Sequence, residues 1–292
     1  CKAVGMGPTP LLGAARFLTA VDSSKLTMTE LISGSGVRPS LLTFWREWLA
    51  PHVETIAASQ TKVVGITIGY VAQLLPAILL AQGLREHMTS PPALLAGGPY
   101  CTFMTVSGVD LSPLFEVFDG LGVGPGEDVI VAASRALGDA PADGSQDAME
   151  VALPTDVPGL WVRDQPRTGL GRPAPLGPDF SSFPLDEYFS ASEPMFPLEA
   201  SRGCWARCRY CNAMSLSRGY RVKPLEQVVE EVAEVQTRYP GAAITFVDAV
   251  IAPKRAVALA EALAALAAER GHRIPWRCCI RPDARLDAEQ CK

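Results

Sequence analysis

Residues 197–212 read PLEASRGCWARCRYCN, and this stretch decides how the rest of the chain is understood. Pro197–Ala200 has the look of a short strand running into a loop, and the loop carries Cys204, Cys208 and Cys211 at the spacing C-x3-C-x2-C. Thiolates are soft ligands that suit iron–sulfur clusters or zinc. Three protein ligands leave one iron of a cubane open, and an open position is what lets a metal take up a substrate. Zinc loops usually supply four ligands in two pairs. The remaining candidates for a second pair, His272, Cys278 and Cys279, lie far downstream. The spacing therefore favours a cluster over zinc.

Downstream of the cysteines the sequence alternates helix and strand signals. Pro224 stands at the favoured first position of a helix. Leu225, Val228, Val229, Val232 and Val235 form its apolar stripe, and Glu226, Glu230, Glu231 and Glu234 its wet face. Ile244–Val247 reads as the next strand. Pro253 opens a second helix that Gly271 ends, and Ile274–Ile280 reads as a third strand. A run of βα units is the opening of a parallel barrel.

Upstream the same alternation appears. Lys62–Ile68 is β-branched and apolar on both faces, as a buried parallel strand should be. A helical spacing of Val71, Leu74, Leu75, Ile78 and Leu79 follows. Ala93–Ala96 is a second strand, ended by Gly97-Gly98-Pro99, and Leu121–Val123 a third, ended by Gly124-Pro125-Gly126-Glu127. The pattern means an α/β fold with a doubly wound, Rossmann-like parallel sheet. Leu41–Ala58 reads as a helix feeding the first strand, with Trp45 and Trp48 packed on the sheet. The expected division is 1–138 for this domain, 139–195 for a linker rich in Pro, Gly, Asp and Ser with one strand at Gly159–Arg163, and 196–292 for a partial barrel. Cys1 and Lys292 both read as interior positions, so the chain is expected to be a fragment of a longer one.

Charge and composition set further bounds. The chain has 292 residues, is 48% hydrophobic and 20% charged, and carries a net charge of −5. Nucleic-acid footprints are usually basic, so none is expected. Leu74–Ala81 is too short for a membrane span. Clustering of three of the eight cysteines in one loop points to a reducing compartment, and the expected location is the cytoplasm.

At this point the sequence resembles a known family. Cys204–Cys211 at the end of a first barrel strand, with Tyr210 as the aromatic residue before the last cysteine, resembles the radical S-adenosylmethionine superfamily. The segments 219–232 (GYRVKPLEQVVEEV) and 244–251 (ITFVDAVI) extend the likeness to the enzymes that mature ribosomally made peptides and to their cobalamin-dependent relatives. The resemblance implies a [4Fe-4S] cluster whose open iron chelates S-adenosylmethionine. One electron from an external donor then breaks the C5′–S bond. It also implies that Asp248 holds the amino group of S-adenosylmethionine, and that Arg281 meets its carboxylate or the substrate. Local readings compete: Asp248 as a turn cap and Arg281 as a solvated side chain before Pro282.

Segments 62–86, 93–103 and 118–128 resemble the cobalamin-binding domain joined to many of these enzymes. In a doubly wound sheet, ligands bind outside the carboxyl ends of the strands. Gly69, Gly97, Gly98, Gly124 and Gly126 stand there, where glycine lets a bulky ring approach the backbone. Gln73 and Tyr100 are weaker candidates at the same edge, and Glu127 reads as a residue suited to a helix start. Cobalamin domains that ligate cobalt from below use a histidine in a D-x-H-x-x-G loop. Here the loop reads Gly69-Tyr70-Val71-Ala72-Gln73, and the histidines are at 52, 87 and 272. No protein histidine is therefore expected on cobalt. The expected function is a cobalamin-dependent radical methyltransferase acting on an unactivated carbon of a peptide or small natural product. A cobalamin-binding radical enzyme of cyclisation or rearrangement, and a non-catalytic iron–sulfur redox protein, are the alternatives.

Overall fold

The structure, a computed structural model, describes residues 27–59, 61–138, 153–171, 177–181, 194–206, 208, 211 and 219–283. The chain divides into two units, Cys1–Ala174 and Pro175–Lys292.

Among the described residues the first unit begins with α1 (Met28–Ser33), whose start is fixed by a reciprocal cap: Glu30 N–H donates to Thr27 Oγ1, and Thr27 N–H to Glu30 Oε2. Next come α2 (Pro39–Ala58), β1 (Val63–Thr67), α3 (Leu74–His87), β2 (Ala93–Gly97), α4 (Pro99–Val106), β3 (Gly120–Gly122), α5 (Glu127–Gly138) and β4 (Leu160–Val162). The strands lie in the order β1-β2-β3-β4, the first three parallel and β4 antiparallel to β3. Strand β2 explains why its sequence shows no polar alternation. Leu94 and Ala96 join a core with Ile78, Leu84, Leu114 and Phe118, while Ala93 and Leu95 join another with Val129 and Ala133 of α5. Both faces of the sheet are covered by helices, so both must be apolar. Each buried leucine contributes about 1.5–3 kcal/mol through that burial. Asp119, just before β3, sets the register. Its Oδ2 accepts from Leu94 N, its Oδ1 from Arg85 Nη2, and its own N–H donates to Leu94 O, all at 2.8 Å.

Three local expectations shift. Trp45 packs against the core, but Trp48 is 54% exposed and rests edge-on against Trp45. The reason is that α2 packs along α3, which turns Trp48 away from the sheet. The third strand begins one residue earlier than expected. The strand near residue 160, read within a linker, is instead the fourth strand of this sheet.

The second unit contains β5 (Met195–Leu198), β6 (Ser201–Arg202), β7 (Arg221–Val222), α6 (Leu225–Arg238), β8 (Ala243–Phe246), α7 (Pro253–Arg270) and β9 (Trp276–Arg277). A parallel sheet runs β5-β8-β9, and β6 pairs with β7 as a separate antiparallel ladder. Val228, Val232 and Val235 of α6 are buried, as their spacing requires. With Leu259 and Leu263 of α7 they enclose Phe196, Leu198, Ile244 and Phe246. Gly271, at φ +70°, ends α7. Strand β9 is shorter than the apolar run predicts, because it pairs only with β8 and its ladder ends at Arg277. Among the described residues, no helix is long and apolar enough to cross a membrane.

Candidate functional site

The cysteine loop is the connection between β6 and β7. That hairpin is closed by the pairs Ser201–Val222 and Arg202–Arg221. Strand β5 delivers the chain to it, so the loop leaves from the carboxyl end of a parallel strand. Cys204 Sγ accepts the Ala206 N–H at 3.3 Å, and Cys211 N–H donates to Cys208 O at 3.1 Å. Trp205 meets Tyr220 edge-on, with ring centroids 4.7 Å apart, and so joins the loop to the hairpin base. Cys204 and Cys208 are half-buried and Cys211 is exposed. Among the described residues, no three His, Cys, Asp or Glu side chains are gathered in metal-holding geometry. The three thiols thus share one loop without converging. Tyr210 lies outside the described residues.

Asp248 is buried just past the end of β8, only 4% exposed. Its Oδ2 accepts the Ala200 N–H at 3.1 Å and its Oδ1 the Ser201 hydroxyl at 2.5 Å. Burial pushes its carboxyl above the ordinary range, and these donors act against that rise. Asp248 therefore fastens the entry to the cysteine loop. Arg281 stands beside the Cys208 thiol and makes a two-pronged ion pair with Asp283, both contacts at 2.8 Å. These partners hold its guanidinium above the usual range, Asp283 most strongly. Asp248 is a tie between segments rather than the turn cap of its local reading, whereas Arg281 stays solvent-facing, as its local reading has it, and pairs with the exposed Asp283. Cys278 is half-buried, and burial raises its thiol.

In the first unit the glycine-bearing strand ends form one edge. Gln73 folds back, so that its Oε1 accepts from Gly69 N at 2.7 Å and Tyr70 N at 3.2 Å. Tyr70, in the same loop, is left 76% exposed. Gly98, at φ +99°, needs glycine on two counts: its backbone conformation, and the Ile68 carbonyl, 2.9 Å from where a Cβ would stand. A Cβ on Gly97 would meet Gly122 O at 3.2 Å, and one on Gly124 would meet Gly171 N at 2.9 Å. These three positions are closed by the chain's own backbone. Gly126 is the open one, with nothing within 4 Å of a Cβ. Tyr100 sits in the first turn of α4, and burial raises its phenol.

Sequence reasoning missed Thr102, Ser201, Tyr220 and Arg255. Thr102 Oγ1 donates to Gly98 O and accepts from Gly124 N, and so ties two strand-end loops together. Arg255 Nη2 donates to Lys223 O at 2.6 Å, just past β7. A threonine inside an apolar helix and an arginine in a first helical turn were the available signals.

No family model matches the sequence, and no curated protein matches it. Among solved structures the chain is similar to radical S-adenosylmethionine methyltransferases. The particular protein is TsrM from Kitasatospora setae, in two structures. One is bound to tryptophan substrate and the S-adenosylmethionine analogue aza-SAM, at TM-score 0.54 and 18% identity. The other is bound to cobalamin and a [4Fe-4S] cluster, at TM-score 0.53 and 17% identity. Each match covers 79% of this chain but only 44% and 45% of the respective TsrM chains. The chain therefore spans less than half the length of the structures it matches, and at this identity the likeness speaks for the fold.

Proposed function

We propose that this chain is the cofactor-binding part of a cobalamin-dependent radical S-adenosylmethionine methyltransferase acting on an unactivated carbon of a peptide or small natural product. The observation that carries the reading is the three-cysteine loop, closed by a hairpin and launched from the carboxyl end of a parallel strand. The likeness to TsrM supports it, since those structures hold cobalamin, a [4Fe-4S] cluster and a S-adenosylmethionine analogue.

The residues fit an iron–sulfur group by their donor chemistry: three soft thiols on one loop, with Cys204 Sγ already accepting a backbone N–H. For cobalamin the fit is narrower. Gly97, Gly98 and Gly124 are filled by backbone, and the open ground is Gly126 and the loop bearing Tyr70. When bound, these groups supply one-electron cleavage of the sulfonium and a methyl group for transfer. The chain's own residues hold and orient them. Cys204, Cys208 and Cys211 would give three thiolates, and Asp248 keeps their loop at the end of β5. Arg281 would place a positive charge beside Cys208. Trp205 and Tyr220 would brace the loop's base through their edge-on contact. In this reading the protein works with an external electron donor in a reducing compartment.

Anaerobic reconstitution with iron, sulfide and hydroxocobalamin tests the proposal. Iron content, corrin absorbance, 5′-deoxyadenosine and methylated product are read together. Cys208→Ala should abolish deoxyadenosine release and leave the corrin band. Deoxyadenosine without methylation would favour cyclisation or rearrangement. A cluster with four protein ligands, indifferent to S-adenosylmethionine, would leave an electron carrier.

A further inference from the structure

Arg255 sits where a cation is out of place. It follows Pro253 and Lys254 in the first turn of α7, a turn without any acidic residue, and the positive end of a helix dipole disfavours it there. Its guanidinium is partly buried, which pulls it below its ordinary range. Among the described residues its Nε is buried without a hydrogen-bond partner, and so is the neighbouring Tyr220 hydroxyl. The charged and titratable groups acting on it are Tyr220, Glu226 and Asp248. A residue kept against these costs is expected to serve something else.

What it does make is the 2.6 Å bond from Nη2 to the Lys223 carbonyl. Lys223 is where the hairpin's second strand ends. Its N–H donates to Ala200 O at 3.1 Å, and its ammonium pairs with Glu231 at 2.8 Å. On the opposite strand, Asp248 takes the Ala200 N–H and the Ser201 hydroxyl. The two ends of the cysteine loop are therefore fastened by two residues of opposite charge, Asp248 from the connection after β8 and Arg255 from the first turn of α7 that follows it. We propose that Arg255 is a positioning residue for the cysteine loop, fixing the strand that leaves it as Asp248 fixes the strand that enters it. The span between the loop's ends is then set before any thiol ligates. This rests on reading the loop as a cluster holder, and the test separates the two.

The test uses the whole chain with Arg255→Met and Arg255→Lys. Hydrogen exchange on cluster-free protein needs no metal: the Lys223 and Arg202 amides should exchange faster in Arg255→Met, while those of β8 stay as in the wild type. Reconstituted protein is then challenged with a chelator. Iron should be lost about tenfold faster or more, as for other residues that orient metal ligands. The cluster's electron paramagnetic resonance on adding S-adenosylmethionine should broaden, with the unfolding midpoint unchanged. Arg255→Lys keeps the charge but shortens the reach, and should fall between. If Arg255→Met does not fold, faster exchange and iron loss in Arg255→Lys support the assignment, and wild-type values in both overturn it. Unchanged hairpin exchange in Arg255→Met overturns it whether or not the wild type assembles a cluster.

Discussion

At the scale of single residues, the buried groups decide. Asp248 provides acceptors for the fully buried Ala200 N–H and for the Ser201 hydroxyl, whose other acceptor, the Val250 carbonyl, is more distant at 3.4 Å. Leaving a buried donor unsatisfied costs about 1–3 kcal/mol. Asp248→Ala should therefore lower the unfolding midpoint, and Asp248→Asn, which keeps an acceptor for Ala200 N–H, should lower it less. Equal midpoints for wild type and Asp248→Ala would show that the carboxylate does not hold the loop. Cys101 gives a pH signature in the other unit. Burial pushes its thiol from the ordinary value near 9 up to about 11. The folded state thus holds this proton more tightly than the unfolded one. The stabilisation is complete below pH 9 and is lost as pH rises from 9 towards 11. The shift of about two units corresponds to roughly 2–3 kcal/mol. Cys101→Ala should flatten that alkaline loss in pH-dependent denaturation, and Tyr100, also raised by burial, should leave a residue of it.

At the scale of elements, the turn from β2 into α4 makes the sharpest demand. Gly98 combines φ +99° and ψ −178°, a region essentially reserved for glycine, with the Ile68 carbonyl at 2.9 Å from a would-be Cβ. Gly98→Ala should cost about 1–3 kcal/mol from backbone strain, with the clash added, measured as a fall in denaturation midpoint. A neutral result would mean that the turn relaxes and the glycine serves a ligand instead. Such strand ends were legible in the sequence because glycine pairs punctuate apolar runs, and so was the buried stripe of α6, because 3.6-residue periodicity survives in one helix. Other features could not be read locally. Gly124 is closed by Gly171, far along the chain. The hairpin of β6 and β7 has two residues per strand, too few for any period. Arg255 looks like a solvated residue until Lys223 is seen to face it. The exposure of Trp48 depends on where α3 lies, which composition does not encode.

At the scale of the whole molecule, each unit has its own hydrophobic core; under the proposed function each should then hold its own group independently. Gly126 lies at the open part of the first unit's edge. Its backbone is ordinary and nothing lies within 4 Å of a Cβ, so a side chain can start there without a clash at its first atom. Gly126→Leu should leave stability within about 0.5 kcal/mol of wild type and weaken corrin binding. Cys208→Ala should do the converse, lowering iron while the corrin band persists. Binding free energies of groups on separate cores add, so the double variant should show the two losses summed to within about 0.5 kcal/mol. Under the proposed function methyl transfer cannot add in this way, because it needs both groups at once: Cys208→Ala should abolish it, and Gly126→Leu should lower it in step with corrin occupancy. Corrin titrations and iron analysis on the four proteins decide the matter. If Cys208→Ala also releases the corrin, or if Gly126→Leu also empties the iron site, the two sites are coupled through the structure and the division of labour between the cores is wrong.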